Sequence, residues 1–247
     1  MANLWNCNSK AWISAVRRGA DRYRSTFHDP TFFELLGPVR GLDILDAGCG
    51  EGITSRVLAN MGGVVTGVDI SEELIASARL TNNGSGDVRY FVDSFLSLES
   101  QPAAGFDRVI SIMALMDSPR IREAFLAFRR VLRQDGRLVF SVGHPMTDKM
   151  NVSWSAQSDQ MCIRNYFENT PWEDVWSFSG VEQEFPPLRI LNFPRTLEEY
   201  FNELSGAGFR LLEIREPKPT AESVAANPAL KKWTIVPFYL MVAAQAM

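Results

Sequence analysis

The sequence predicts an α/β protein built on an open, doubly wound sheet. Three observations support this fold class. An apolar run at residues 42–46 leads into a glycine-rich turn and then into a helical pattern at residues 54–61. Two further apolar runs, at residues 64–68 and 88–92, are each followed directly by an aspartate, and the first run also closes on one, Asp46. Helical patterns alternate with these runs, which is typical of parallel strands covered by helices.

Composition limits the kinds of protein that this chain can be. Its 247 residues suit one α/β domain with an insertion, and a hydrophobic share of 46% is enough for a sizeable core. The net charge of −4 argues against broad binding to nucleic acid or anionic membrane. No apolar run approaches the roughly 20 residues of a membrane span, and the first residues lack a signal-peptide pattern. We therefore expect a cytoplasmic protein without nucleic-acid or membrane partners; the oligomeric state is not predicted.

The three cysteines give no sign of a disulfide framework or a metal site. Cys7, Cys49 and Cys162 are widely spaced and form no CxxC pair. Cys49 lies within the glycine turn, where a small side chain fits the geometry. We interpret it as structural, and no metal is expected.

The spacing of the glycine turn distinguishes between possible ligands. In a dinucleotide-binding fingerprint, G-x-G-x-x-G, the third glycine would fall on Ile53, whereas Gly52 comes one residue early. Asp46 also precedes Gly48 by two positions, and its carboxylate would repel a diphosphate but suit a cationic ligand. An ordinary βα turn rich in glycine is the alternative interpretation.

The sequence from Asp46 through Gly48, Gly50 and Gly52 has the pattern D-x-G-x-G-x-G and resembles motif I of the class I S-adenosylmethionine-dependent methyltransferases. In that family the glycine turn lies under the methionine part of the cofactor. The resemblance implies a Rossmann-like, seven-stranded sheet whose last strand runs antiparallel at the sheet edge. It also implies S-adenosyl-L-methionine as cofactor and S-adenosyl-L-homocysteine as product.

Further cofactor contacts are expected where the next strands end. Asp69, with Ile70 beside it, stands where a doubly wound fold places a carboxylate to accept hydrogen bonds from both ribose hydroxyls; a plain turn residue is the alternative. The resemblance implies adenine contacts for Asp93, Ser94 and Phe95. Met113 follows the fourth strand and either packs against the cofactor or fills the core.

Later segments narrow the resemblance to a subgroup of this family. Strands are predicted at residues 106–112, 137–143 and 209–216, with helices at 119–132 and 197–204 and a final strand at 236–244. Similarity to small-molecule methyltransferases of quinone and natural-product biosynthesis rests on "MALMDSP" and "RRVLRQDGRLVFSVGHP". We divide the chain into an N-terminal helical cover (1–38), a cofactor-binding core (39–145), a lid insertion (146–193) and the completion of the core sheet (194–247).

Acceptor contacts are expected from the cover and from the lid. Apolar residues recur at helical intervals before residue 28, so this segment either packs on the sheet or closes over the cofactor. The lid is rich in aromatic residues, which suits an apolar or planar acceptor, although these residues could also only hold the lid together. The candidates for substrate binding are Trp12, Tyr23, Arg24, His144, Tyr166, Trp172 and Trp176.

His144 is the candidate for a general base. It follows the fifth strand, and an unperturbed imidazole pKa of about 6.5 suits proton removal near neutral pH. The alternative is a structural His-Pro corner with a hydrogen-bonded imidazole. His28, Tyr23, Tyr166 and Glu168 are weaker candidates for contact with the acceptor.

Together these patterns predict transfer of a methyl group to an oxygen or nitrogen of a small apolar or aromatic metabolite, for example in natural-product biosynthesis. Methylation of a macromolecule such as tRNA or protein is one alternative, and the acidic charge balance argues against it. A nicotinamide-dependent oxidoreductase is a second. A module that retains the cofactor pocket without turnover is a third.

Overall fold

The computed structural model describes residues 1–82, 88–148 and 152–247. A seven-stranded sheet forms its centre, and two small hairpins lie beside it. In chain order the strands are β1 (Asp43–Ala47), β2 (Val64–Asp69), β3 (Arg89–Val92), β4 (Phe106–Ile112), β5 (Leu132–Gly143), β6 (Val152–Ser155), β7 (Gln160–Ile163), β8 (Trp172–Trp176), β9 (Leu188–Asn192), β10 (Phe209–Arg215) and β11 (Tyr239–Ala246).

Helices cover both faces of this sheet. In chain order they are α1 (Ala2–Arg17), α2 (Asp29–Leu36), α3 (Ile53–Asn60), α4 (Glu72–Thr81), α5 (Ile121–Val131), α6 (Leu197–Gly206) and α7 (Ala221–Ala226). A π-helical turn at Arg24–His28 precedes α2, and 3₁₀ turns occur at Leu115–Asp117 and Pro228–Thr234. The helix stop predicted after α4 lies largely in residues 83–86, outside the described residues.

The sheet has the order β10-β11-β5-β4-β1-β2-β3, and β1 to β5 run parallel. The predicted Rossmann-like sheet of seven strands with an antiparallel last strand is confirmed. The prediction that the last strand forms the edge is wrong, because β11 lies between β5 and β10 and is antiparallel to both. Burial gives the physical reason: nearly every residue of β11 is buried, whereas β10 is exposed after its first residue.

Parallel register brings the carboxyl ends of the central strands to one edge of the sheet. Ala47 pairs with Val68, and Asp69 pairs with Val92, so the chain leaves β1, β2 and β3 at the same level. Buried apolar residues fill both faces beneath this edge, with Phe125 and Phe140 in one cluster and Leu58 in the other. The core therefore fixes the position of the loops that follow the strands.

Helix α1 and the hairpin of β8 and β9 meet above this edge. The Asn8 side chain donates to the backbone oxygen of Arg189 at 2.8 Å, and Arg18 pairs with Glu184 at 2.7 Å. On the other side, the Ser71 hydroxyl at the start of α4 donates to Asn6 at 2.6 Å. These contacts place the first helix across the ends of the strands. The division of the chain into cover, core and lid stays a prediction.

No helix in the described part of the chain is long and apolar enough to cross a membrane.

Candidate active site

A cavity of about 400 Å³ lies between the strand ends, α1 and the β8–β9 hairpin. Its size falls in the range of small-molecule sites. Several of the predicted site residues line it, namely Trp12, Tyr23, Arg24, Asp46, Gly48, Gly50, Asp69, Ile70, Phe95, Met113 and Trp176. Six predicted residues do not line it, namely Gly52, Asp93, Ser94, His144, Tyr166 and Trp172.

The glycine turn forms the floor of the cavity with bare backbone. Gly48 has a φ of +81°, and a Cβ atom added there would lie 2.6 Å from the Cβ of Ala114. At Gly50 an added Cβ would lie 3.3 Å from the indole nitrogen of Trp12. Gly52, with a φ of +81°, is the N-cap residue of α3 and packs against the ring of Tyr90, away from the cavity. Two glycines thus face the ligand space, and the third serves the start of the helix.

Asp46 is a buried acid directly below the turn. Its side chain is 2% exposed and accepts a hydrogen bond of 2.6 Å from the Ser55 hydroxyl on α3. Burial raises the pKa of Asp46 to about 6, against the opposing effects of Ser55 and of the Arg24 charge. A cationic group bound beside Asp46 would favour its ionised form.

Asp69 holds the turn and faces the cavity with the same carboxylate. One oxygen accepts from the backbone N–H of Gly50 and the other from that of Ser71, each at 2.9 Å. Burial raises the pKa of Asp69, and the two backbone hydrogen bonds oppose the shift. Each carboxylate oxygen has a further lone pair, so the group can still accept from two ligand hydroxyls.

The acid after β3, Asp93, does not line the cavity. The carboxylate of Asp93 accepts from the backbone N–H of Ser94 at 2.7 Å and from that of Ser100 at 2.9 Å, and it also bonds the Ser100 hydroxyl. It therefore ties down the loop behind β3, and its predicted contact with adenine stays a prediction. Phe95, within that loop, does line the cavity.

The N-terminal segment contributes a cation and a second acid. Arg24, in the π-helical turn, donates to Asp29 at 3.2 Å and to the Thr54 hydroxyl of α3 at 3.0 Å. Asp21 lines the same end of the cavity, and burial raises its pKa. Sequence reasoning missed Asp21, because its position before a short turn carries no distinctive pattern.

Sequence reasoning also missed Asp117, which lies on the 3₁₀ turn after β4. Its side chain is 5% exposed, and its Oδ2 atom accepts a hydrogen bond of 3.1 Å from the indole N–H of Trp5. Burial raises the pKa of Asp117 well above its usual range, with nearby acids adding to the shift. Met113 just before this turn has a φ of +52°, an uncommon conformation for a residue with a side chain. Met113 also lines the cavity, so the loop after β4 contributes both residues to its wall.

His144 lies in a structural corner away from the cavity. Its Nδ1 atom accepts from the backbone N–H of Met146 at 3.1 Å, and its backbone N–H donates to Phe238. The Nε2 atom lies 2.9 Å from a Glu216 oxygen, although the angle is not that of a hydrogen bond. Burial lowers the pKa of His144, and the Glu216 charge opposes the shift. This geometry matches the structural alternative and gives no support to a general base.

Two lid aromatics also lie outside the cavity. The Tyr166 hydroxyl accepts from the backbone N–H of Leu197 at 2.9 Å and so anchors the lid to α6. Trp172 lies at the far end of β8 from Trp176, which does line the cavity. Trp176 and Phe178 pack beside Trp12, with ring centroids 6.2 and 6.0 Å from it.

These residues fit an adenosyl sulfonium cofactor. The glycine turn admits a ligand chain, Asp69 can accept from vicinal hydroxyls, and Ile70 with Phe95 offers apolar surface for a base. Arg24 and Asp46 supply opposite charges for the two ends of an amino acid. In the described part of the chain, no group of three or more His, Cys, Asp or Glu side chains is placed to hold a metal ion.

Comparison with known proteins agrees with this geometry. Residues 45–140 match a family model described as a methyltransferase domain. A ubiquinone biosynthesis O-methyltransferase of Xanthomonas axonopodis is 35% identical over 102 residues, which are 41% of this chain and 43% of that protein. A second protein of that name, from Idiomarina loihiensis, is 34% identical over 102 residues, which are 41% of this chain and 42% of that protein. The chain therefore spans less than half the length of these curated relatives.

Solved structures extend the likeness over most of the chain. An S-adenosylmethionine-dependent methyltransferase from Mesorhizobium loti has a TM-score of 0.72 and 26% identity, and the match covers 87% of this chain and 96% of that one. A second structure, described as a methyltransferase of that kind from Listeria monocytogenes, has a TM-score of 0.69 and 22% identity, with coverage of 88% and 95%.

The fold, the cavity and the matched segment define a class I methyltransferase domain, and S-adenosylmethionine is the cofactor of that class. This chain carries that domain over residues 45–140, with the remaining residues completing the sheet and covering the site. The predicted class and cofactor are confirmed.

Proposed function

We propose that this protein transfers a methyl group from S-adenosylmethionine to an oxygen or nitrogen of a small, apolar or aromatic metabolite. One observation carries the proposal: the cavity joins the glycine turn and Asp69 to aromatic walls from α1 and the β8–β9 hairpin. The names of the curated relatives support an acceptor of the quinone kind, and the aromatic walls support a planar one. A role in natural-product biosynthesis and a cytoplasmic location stay predictions from the sequence.

The cofactor supplies an electrophilic methyl group on a cationic sulfur, and the protein has to position the acceptor in line with it. Helix α1 and the hairpin close over the strand ends and exclude water. Asp69, Gly48 and Gly50 orient the donor, and Trp12 with Trp176 bounds the space for the acceptor. Holding two reactants in this way removes most of the entropy cost of their encounter.

Calorimetry with S-adenosylhomocysteine tests the proposal. We expect the wild-type protein to bind it and Asp69→Ala to weaken binding by about ten- to hundredfold, because hydrogen bonds to a charged group contribute about 1.5–3 kcal/mol. Asp93→Asn is the matched control, since Asp93 ends the neighbouring strand but does not line the cavity; its affinity should stay within a few-fold of wild type.

Two results would contradict the proposal. Binding of NAD without binding of S-adenosylhomocysteine would favour the nicotinamide-dependent alternative. An equal loss of affinity in the two variants would show that Asp69 has no special role at the ribose. If binding is normal, transfer from S-adenosylmethionine to a panel of phenols and amines, followed by mass spectrometry, tests turnover.

A further inference from the structure

Asp117 lines the cavity from the loop after β4. The glycine turn and Asp69 follow β1 and β2, and β4 lies on the other side of β1 from β2 in the sheet. The β8–β9 hairpin lies above it, because the backbone N–H of Phe193 donates to Met116 at 2.9 Å. Asp117 therefore lies between the core sheet and the β8–β9 hairpin.

Within residues 1–82, 88–148 and 152–247, no Lys, Arg or His side chain lies within ion-pair distance of the Asp117 carboxylate. In this part of the chain its hydrogen-bond donor is the neutral indole of Trp5. Glu51, another buried acid of the cavity, differs, because Arg17 and Arg56 both pair with it at 2.9 and 2.8 Å. A buried acid without a protein cation is held in its neutral form, and a cationic ligand beside it would favour the ionised form.

The walls next to Asp117 are aromatic. Trp5 contacts Trp12 edge to face with ring centroids 6.0 Å apart, and Trp12 contacts Trp176 and Phe178. The indole N–H of Trp176 donates to Asp174 at 2.6 Å, so a second acid lies beside these aromatic rings. Aromatic faces beside a carboxylate attract organic cations.

We propose that Asp117 makes this site selective for an acceptor that carries a protonated or quaternary amine. The inference rests on the proposed function and narrows its substrate class. Asp117 pairs with the ammonium group of the acceptor, and the indole rings of Trp5 and Trp12 cover the apolar part of that acceptor. Asp117 is thus a specificity-determining residue that fixes the position of the acceptor in front of the methyl donor.

Matched pairs of probes test this selectivity. We would measure binding of 2-phenylethylamine against 2-phenylethanol, and of tryptamine against tryptophol, by calorimetry at saturating S-adenosylhomocysteine. In the wild-type protein at least one amine should bind about tenfold or more tightly than its alcohol, as expected for a desolvated charged pair. Asp117→Asn should bring amine and alcohol to within a few-fold of one another.

Trp5→Phe separates this role from a purely structural one. The substitution removes the indole donor to Asp117 but keeps an aromatic ring on α1. If Asp117 pairs with the acceptor, Trp5→Phe keeps the ratio of amine to alcohol affinity, even though the smaller ring lowers both affinities. If Asp117 only anchors α1, Trp5→Phe loses the preference as fully as Asp117→Asn does, and the inference is overturned.

No preference for any amine in the wild-type protein also overturns the inference. That failure is distinct from failure of the proposed function, because binding of S-adenosylhomocysteine is measured first in each variant. Normal cofactor binding with no amine preference would leave methyl transfer in place and remove Asp117 as the selector. Loss of cofactor binding in the wild-type protein would reject both.

Discussion

Gly48 and Gly41 adopt nearly the same left-handed backbone, with φ of +81° and +75°, but their surroundings differ. Nothing lies within 4 Å of a Cβ added to Gly41, whereas a Cβ at Gly48 would lie 2.6 Å from Ala114. The pair therefore separates the backbone cost of a side chain from its effect on the cavity floor.

We predict that Gly48→Ala weakens binding of S-adenosylhomocysteine by at least about tenfold, because the clash moves either the turn or the loop after β4. Gly41→Ala should keep normal affinity. Both variants should lose about 1–2 kcal/mol of stability from the left-handed conformation. Calorimetry and urea unfolding measure the two effects. Equal affinities in the two variants would show that the turn tolerates a methyl group.

Residue patterns predicted the cofactor side of the cavity better than the acceptor side. Asp46, Gly48 and Asp69 were found because a strand end fixes both the position and the neighbours of the next residues. Asp93 follows the same pattern, yet its carboxylate accepts hydrogen bonds from its own loop. One of these donors is the backbone N–H of Ser100, seven residues further on. Asp117 was missed because its hydrogen-bond partner, Trp5, is far away in the sequence.

At the scale of elements, the helix predicted at residues 197–204 is found as α6. Its start is set locally, because Thr196 and Glu199 form a capping box. The place of β11 could not be read in this way, because the partner of a strand is set by distant parts of the chain. Its continuous apolar run was consistent with a buried strand, and the structure shows it to be one between β5 and β10.

Two threonine caps give a prediction at this scale. Thr196 accepts from the Glu199 N–H at 3.1 Å, and its helix α6 buries Tyr200 and Leu204. Thr220 accepts from the Ser223 N–H, also at 3.1 Å, but its helix α7 buries no residue. Thr196→Ala should therefore lower the free energy of unfolding by about 1 kcal/mol.

Thr220→Ala should leave the free energy of unfolding nearly unchanged, because fraying of α7 costs little core packing. Urea unfolding followed by circular dichroism measures both variants. A loss of similar size for the two would contradict the view that α6, and not α7, is part of the cooperative unit.

At the scale of the whole molecule, the cavity collects buried acids whose ionised forms are destabilised in the absence of a ligand. Burial raises the pKa of Asp21, Asp46, Asp69 and Asp117 together. An acid whose pKa is higher in the folded protein than in the unfolded chain favours the folded state at low pH. This contribution is complete below the pKa of the unfolded chain and is lost as the pH rises through the pKa of the folded protein. Burial lowers the pKa of His28, which acts oppositely, since its contribution disappears as pH falls. The pH dependence of the wild-type protein alone therefore mixes both effects.

Asp46→Asn isolates one of these contributions. The pKa of Asp46 rises from 3.8 to about 6 on folding. A shift of that size corresponds to ~3 kcal/mol in the free energy of unfolding. Above about pH 6 the wild-type protein bears this cost and Asp46→Asn does not. We therefore expect the ligand-free variant to be more stable than wild type by ~1–3 kcal/mol at pH 8, and by clearly less at pH 5.

Asp107→Asn serves as the control, because pairing with Arg133 lowers the pKa of Asp107, against the effect of burial, and both of its pKa values lie below pH 5. Its effect on stability should be the same at pH 5 and pH 8. Urea unfolding of the three proteins without ligand gives the comparison. An advantage of Asp46→Asn that does not grow between pH 5 and pH 8 would show that Asp46 is already ionised at pH 5. In that case the floor of the cavity would be more polar than its burial indicates, and Asp46 would meet a cationic ligand in its ionised form.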